Sequence, residues 1–141
     1  MFLADYHVHS TCSFDAKNRM AEMARALKQR GIAEVMQIGP ESFTLPKQQA
    51  HQYIEALEKA PEGIFMVLGL ELGEGNHEPE RAKRIYHMPE YDFILGSLHN
   101  LRGEPDFYDI QYESYEQCFD LYERYLDELI ELAALGCFDV M

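Results

Sequence analysis

The chain has 141 residues, a length that suits one domain with its own core. Twelve Lys and Arg against 25 Asp and Glu give a formal net charge of −13, which disfavours an extended basic surface for nucleic acid. The three cysteines have no Cys-x-x-Cys spacing, which argues against a disulfide framework or a zinc ribbon. No stretch approaches the roughly 20 apolar residues of a membrane span. These features predict a soluble cytoplasmic protein.

Short apolar runs alternate with segments of helical periodicity, the pattern of repeated β/α units around a parallel sheet. In chain order, the pattern predicts strands at residues 2–7, 33–38, 64–72 and 92–97 and helices at 18–30, from 46, at 79–87 and at 114–135. Residues 137–141 are typical of a fifth strand that is cut off at its end. The predicted class is therefore α/β, in one domain over residues 1–141.

Helix ends and faces are also predicted. Asn18 and Ser114 are the expected N-caps of the first and last helices, and Gly31 and Gly136 their ends. Apolar faces are expected at Met20, Met23, Ala24 and Leu27; at Ala50, Tyr53, Ile54 and Leu57; and at Tyr115, Cys118, Leu121, Tyr122, Tyr125, Leu129 and Leu132.

Potential metal ligands fall at the ends of the predicted strands. His7 and His9 lie at the end of the first strand, Glu71 at the end of the third and His99 just beyond the fourth. In β/α folds the carboxyl ends of parallel strands share one rim, where working residues collect. Three separate units therefore supply ligand-type side chains to one edge.

His7 and His9 are two residues apart in an extended segment, so their side chains project to the same side and can grip one ion. Neutral imidazole suits zinc, iron or manganese, and the Glu71 carboxylate could bridge two ions. Asp15, in the next loop, could add an oxygen ligand. An acidic protein would need such a local positive centre to bind an anionic substrate.

Structural roles compete with these functional ones. A His-x-His alone is more often two ordinary histidines, Glu71 could be a buried acid paired with a base, and His99 could cap a loop through Asn100. An unpaired carboxylate in the apolar run around Glu71 would be costly, however. Solvated surface positions are the simpler interpretation for three other histidines, His51, His77 and His87.

Four short motifs extend this pattern. They are Asp5-Tyr6-His7-Val8-His9-Ser10, Gly69-Leu70-Glu71-Leu72-Gly73, Gly96-Ser97-Leu98-His99-Asn100 and the run from Asn100 to Tyr108. Together they resemble the motifs of the polymerase and histidinol phosphatase (PHP) domain family, and the last resembles its bacterial histidinol-phosphatase branch. The resemblance covers essentially the whole chain.

The resemblance implies a distorted (β/α)7 barrel that holds two to three divalent ions of Zn, Fe or Mn. It implies hydrolysis of L-histidinol phosphate, a step of histidine biosynthesis, by a metal-bridged hydroxide rather than by a side-chain nucleophile. His7, His9 and Glu71 would hold the first ion, Glu71 and His99 the second, and Asp15 would help with a third.

Two departures from the family pattern limit this expectation. Where the family ends its second strand with Thr-Asp-His, this chain reads Ile38-Gly39-Pro40, which weakens the expectation of a third ion. The chain also stops at Met141 after about four and a half β/α units, too few to close the barrel. It is therefore expected to be a truncated or engineered fragment, or to complete its core with a second copy, because an open half-barrel exposes strand edges and apolar surface.

Three functions remain open at this stage. The first is a histidinol-phosphatase-type phosphoesterase, with Arg102 as the candidate cation for the substrate phosphate, although a solvated loop arginine is at least as good an interpretation. The second is a catalytically impaired fragment or binding module that has lost its ligand at position 40. The third is a nuclease or proofreading role, which the acidic charge disfavours. The predicted partners are a small phosphorylated substrate and a second copy of the chain, without nucleic acid or membrane.

Overall fold

The computed structural model describes residues 2–13, 15–39 and 46–141. Strands and helices alternate along it: β1 Ala4–His9, α1 Met20–Gln29, β2 Glu34–Gly39, α2 Pro46–Lys59, β3 Phe65–Gly73, α3 Pro79–Tyr86, β4 Phe93–Ser97 and α4 Tyr115–Leu135. The strands form one sheet in the order β1-β2-β3-β4. The mixed α/β class and the order of the elements are therefore as predicted. None of the helices in the described part of the chain is long and apolar enough to cross a membrane.

The chain divides into two compact units. The first contains Met1–Glu71 and Pro89–Ile94, and the second contains Leu72–Met88 and Leu95–Met141. The single domain expected from the sequence stays a prediction.

Strand β1 carries an irregularity beside the histidine pair. It runs parallel to β2, and its register shifts between Asp5 and Val8, where β1 uses one more residue than β2. Such bulges bend a strand and redirect its side chains, and they are frequent next to functional sites. The strand begins and ends two residues later than predicted, so both His7 and His9 belong to it.

The core of the first unit lies around α1. The buried side chains are Val8, Cys12, Met20, Ala21, Ala24, Ala56, Met66 and Leu68. Met20 and Ala24 are fully buried, with Met23 and Leu27 packed against the cluster, so the predicted apolar face of α1 is confirmed.

The predicted N-cap of α1 is wrong by one residue. The helix begins after Arg19, whose backbone N–H donates to the Glu22 carboxylate (3.1 Å). A Glu at the third helical position satisfies the backbone N–H of the capping residue in this way. It therefore supports a helix that begins one turn before Glu22 rather than after Asn18.

The predicted buried face of α2 is partly wrong, because Ile54 and Leu57 are 57% and 48% exposed. Tyr53 packs against the core as predicted, and Gln49 and Ala56, which were not predicted, are buried as well. The Gln49 amide donates to the carbonyl of Gly69 (3.0 Å) and the Tyr53 hydroxyl to that of Met66 (2.9 Å). Gln49 and Tyr53 therefore make hydrogen bonds to the β3 backbone that the aliphatic side chains of Ile54 and Leu57 could not make.

Helix α4 belongs to the second unit and is capped at both ends as predicted. The Ser114 hydroxyl accepts from the N–H of Gln117 (3.1 Å), and Gly136 has the left-handed conformation (φ 61°) that ends many helices. Leu121 and Leu132 are buried. They pack with Leu98, Leu101, Phe107, Ile110, Tyr125, Leu129 and Phe138.

The predicted burial is wrong for two positions on the apolar face of α4. Tyr115 and Tyr122 are 85% and 57% exposed. Beyond the helix, the predicted fifth strand is a single parallel bridge, Leu95 to Val140, with the N–H of Gly96 donating to the Val140 carbonyl (2.8 Å).

Candidate metal centre

His7, His9 and Glu71 converge in the first unit. The two Nε2 atoms are 2.9 Å apart, and Oε2 of Glu71 lies 3.4 Å from Nε2 of His7 and 3.1 Å from Nε2 of His9. The imidazole rings stack with their centroids 5.0 Å apart, so both project to the same side of β1. The structure thus brings together three of the predicted ligands.

The spacing of these donor atoms fits a bound ion. Zinc bonds to imidazole nitrogen and carboxylate oxygen are about 2.0–2.2 Å long, which places neighbouring ligand atoms roughly 3 Å apart. Three such atoms, one from each side chain, form a group that could hold a metal ion. Two imidazoles and a carboxylate are the donor set that zinc, iron and manganese accept.

The Glu71 carboxylate is buried, with its side chain only 7% exposed. A buried carboxylate is costly unless it is paired. The surrounding strand is apolar, with Leu68, Leu70 and Leu72 all buried, and the histidine rings pair with the charge. The contact of Glu71 with the two rings therefore also fits the alternative expectation of a buried acid paired with a base. The same three side chains form the candidate metal centre.

A second set of contacts orients His9. Its Nδ1 lies 3.0 Å from the Ser13 hydroxyl and 3.1 Å from Oδ1 of Asp15, and Ser13 also donates to Asp15 (2.5 Å). A carboxylate on one ring nitrogen favours the proton there and leaves the other nitrogen as the ligand. Ser13 was missed by the sequence reasoning, although its place between His9 and Asp15 was visible.

These contacts shift the pKa values of His9 and Asp15. The hydrogen bond with Glu71 raises the pKa of His9, with a smaller contribution from Asp15, and outweighs the opposing effect of burial. The Ser13 hydroxyl lowers the pKa of Asp15. Asp15 thus contacts the ring nitrogen of His9 that faces away from Glu71, and its role as a direct ligand stays a prediction.

His99 lies in the second unit, beside Glu74. Its backbone N–H donates to Oε1 of Glu74 (2.5 Å), and its Nδ1 is 3.3 Å from the same oxygen. The neighbouring Asn100 amide donates to the carbonyls of Leu101 and Glu104. Hydrogen bonds from Asn100 therefore fix the loop, and the His99 ring contacts the Glu74 carboxylate.

Arg102 also lies in the second unit. Its guanidinium contacts the Asn76 carbonyl (3.1 Å) and the Glu131 carboxylate (3.3 Å). The Arg102 side chain is 55% exposed and contacts two groups of its own unit, and phosphate binding by it stays a prediction.

The interpretation of His77 as a solvated residue is wrong. Its side chain is 17% exposed, and its Nε2 lies 2.5 Å from Oε2 of Glu128. The partner is about fifty residues away in the chain, too distant for local sequence patterns to reveal. His51 and His87 are exposed as predicted. The missing ligand at Pro40 lies outside the described residues.

The PHP domain family matches residues 5–141. The chain belongs to this family, as its motifs predicted.

A curated relative narrows the comparison. The chain is 25% identical over 141 residues to a protein of Clostridium acetobutylicum named "Probable histidinol-phosphatase". The match covers 96% of this chain and 53% of the relative, so the chain spans about half the length of the protein it matches. No solved structure matches the chain significantly.

Proposed function

We propose that this chain is a metal-dependent phosphoesterase that hydrolyses a small phosphate monoester, with L-histidinol phosphate as the substrate of first choice. The observation that carries the proposal is the convergence of His7, His9 and Glu71 on one point, in a chain that belongs to the PHP family. The relative named a probable histidinol-phosphatase supports the choice of substrate.

Each predicted ligand has a place in this proposal. His7, His9 and Glu71 would hold one ion of zinc, iron or manganese, His99 would contribute to a second, and Asp15 would contribute to a third. When bound, such ions lower the pKa of water and screen phosphate oxygens during in-line displacement. Burial of Glu71 strengthens its attraction for cations, because water screens the charge less.

Arg102 is proposed to bind the substrate phosphate through its guanidinium, which can engage two oxygens at once. Its contact with Glu131 is between two side chains that are 55% and 54% exposed, and exposed pairs are worth at most about 1 kcal/mol. A phosphate dianion can therefore displace Glu131 at small cost.

The alternative is a binding module or impaired fragment that keeps the fold without turnover. Pro40 favours it, because proline offers no side-chain ligand where the family has histidine.

Metal analysis and a substrate assay separate these functions. We expect the purified chain, loaded with Zn²⁺, Mn²⁺ or Fe²⁺ after chelation, to retain at least about one equivalent of metal through gel filtration and to release phosphate from histidinol phosphate. Metal binding without phosphate release would favour the binding module. Release of nucleotides from single-stranded DNA would favour the nuclease, and a protein that binds no metal would contradict the hydrolase.

We also propose that the chain acts in the cytoplasm and associates with a second copy. Helix α4 exposes five large apolar side chains on one face, here called the α4 stripe: Tyr115, Phe119, Tyr122, Leu126 and Ile130. A continuous exposed stripe of this kind favours association. The three cysteines are free, which suits a reducing compartment.

Replacing Phe119 and Tyr122 together by Ala is expected to weaken dimerisation at least about tenfold, because large aromatic side chains dominate association energies. Sedimentation equilibrium in about 0.3 M salt, which screens the net charge of −13, measures the effect. The double change of the exposed Glu116 and Glu123 to Ala is the matched control on the same helix. A wild-type chain that stays monomeric up to millimolar concentration would remove this proposal.

A further inference from the structure

Glu74 occupies an unusual backbone conformation directly after β3. Its φ is +50°, and it is the one residue other than glycine with a positive φ among those that the structure describes. Residues other than Gly, Asn and Asp rarely adopt this backbone conformation, because it brings Cβ too close to the neighbouring backbone atoms. Strain of this kind tends to occur where a side chain has a specific task.

Backbone hydrogen bonds hold Glu74 in this conformation. Its N–H donates to the Ser97 carbonyl (2.9 Å), and its own carbonyl accepts from the N–H of His77 (2.8 Å). The main chain of Glu74 is thereby fixed against the end of β4, two residues before His99.

The carboxylate of Glu74 then reaches His99 twice. Oε1 accepts from the His99 backbone N–H and lies 3.3 Å from its Nδ1. The Glu74 side chain is 18% exposed and the His99 side chain 42%, so the carboxylate is the more sheltered of the two partners. One oxygen therefore constrains both the backbone and the ring of the same residue.

The first unit repeats this arrangement. Oδ1 of Asp15 lies 3.1 Å from Nδ1 of His9, whose Nε2 is directed at Glu71. Two predicted ligands from different parts of the chain thus each have a carboxylate on Nδ1. A carboxylate in this position holds a histidine in the Nδ1–H form, so that Nε2 is the nitrogen that binds metal.

We propose that Glu74 is a positioning residue for His99: its carboxylate fixes the ring in the Nδ1–H tautomer and presents Nε2 as the ligand atom. The use of that nitrogen as a ligand rests on the proposed function. The tautomer itself does not, because it is a property of the metal-free protein.

Glu74→Gly and Glu74→Gln test the proposal. Glycine suits φ +50° better than glutamate, so Glu74→Gly removes the carboxylate while relieving the backbone strain. Glu74→Gln keeps an oxygen for the His99 N–H but removes the charge. Glu80→Gln, an exposed change of the same charge on α3, is the matched control.

Long-range ¹H–¹⁵N NMR of the metal-free proteins, at a pH where the histidines are neutral, reports each tautomer. We expect His99 to be mainly Nδ1–H in the wild type and in Glu80→Gln, and mainly Nε2–H in Glu74→Gly, with Glu74→Gln between them. An unchanged signal from His77, which contacts Glu128 in the same unit, verifies that each variant is folded. The proposal would be overturned if His99 were mainly Nε2–H in the wild type, or if its tautomer were the same in Glu74→Gly as in the wild type.

Zinc titration followed by the same His99 signal separates this proposal from the proposed function. If His99 is a ligand, we expect zinc binding to it to weaken about 10- to 100-fold in Glu74→Gly, the usual range for loss of such a carboxylate. A tautomer that follows Glu74, in a protein whose His99 never responds to metal, would support the positioning contact and contradict the metal role of His99.

Discussion

Zinc affinity is expected to fall at least about 100-fold in the variant Glu71→Gln. Loss of a residue that only orients a ligand costs 10- to 100-fold in affinity, and loss of a charged ligand should cost more. At a free zinc concentration 100 times its dissociation constant, the wild type should gain about 2.7 kcal/mol in its free energy of unfolding. Glu71→Gln should gain at most about 0.4 kcal/mol at the same zinc concentration. Thermal unfolding with and without zinc measures the difference.

The metal-free protein offers an independent test of the same residue. The hydrogen bond with Glu71 is the main cause of the raised pKa of His9, so Glu71→Gln should lower that pKa towards the ordinary value of 6.5. An NMR titration of the His9 ring protons reports it, and the exposed Glu58→Gln on α2 is the control. Unchanged zinc affinity together with an unchanged pKa would mean that Glu71 does not face the histidines in solution.

The histidine pair and Glu71 could be predicted because the signals are local. An extended segment places residues two apart on one side, so His7 and His9 had to share a direction. The apolar run around Glu71 predicted a buried strand, and parallel strands present their carboxyl ends at one edge. Neither argument needs contacts between distant parts of the chain.

The incorrect predictions of side-chain burial have a common physical cause. A pattern of apolar residues assigns burial by residue type, whereas Gln49 is buried because its amide pairs with the Gly69 carbonyl and the Tyr91 hydroxyl. The burial of His77 likewise depends on a carboxylate far along the chain. Hydrogen-bond partners of this kind are decided by tertiary structure, and periodicity carries no information about them.

The contact of Glu128 with its three partners gives the second large prediction. Its carboxylate accepts from the Asn76 amide (3.1 Å), from the His77 ring (2.5 Å) and from the Arg102 backbone N–H (2.8 Å). The Glu128 side chain is 12% exposed. It therefore ties α4 to the segment after β3 and to the loop after β4 within the second unit.

Glu128→Ala is expected to lower the free energy of unfolding by about 2–4 kcal/mol at pH 7, because the buried Asn76 amide, the His77 ring and the Arg102 N–H lose their shared acceptor. Helix propensity would act in the opposite direction, since Ala is the best helix former. Glu131→Ala on the same helix is the control: its carboxylate is 54% exposed, so its contact with Arg102 should contribute less than about 1 kcal/mol. Urea unfolding of both variants measures the difference.

The pH dependence of the Glu128 effect has a definite sign. Burial raises the pKa of Glu128, but the hydrogen bonds from Arg102, His77 and Asn76 together lower it below its ordinary value of 4.5. A carboxyl group with a lowered pKa in the folded state stabilises the protein fully above the unfolded pKa and loses that contribution as the pH falls through the folded pKa. The difference between wild type and Glu128→Ala should therefore be largest at pH 6–7 and shrink below about pH 4.5. A difference that stays constant from pH 7 to pH 3 would mean that packing, rather than the charged hydrogen bonds, holds α4 in place.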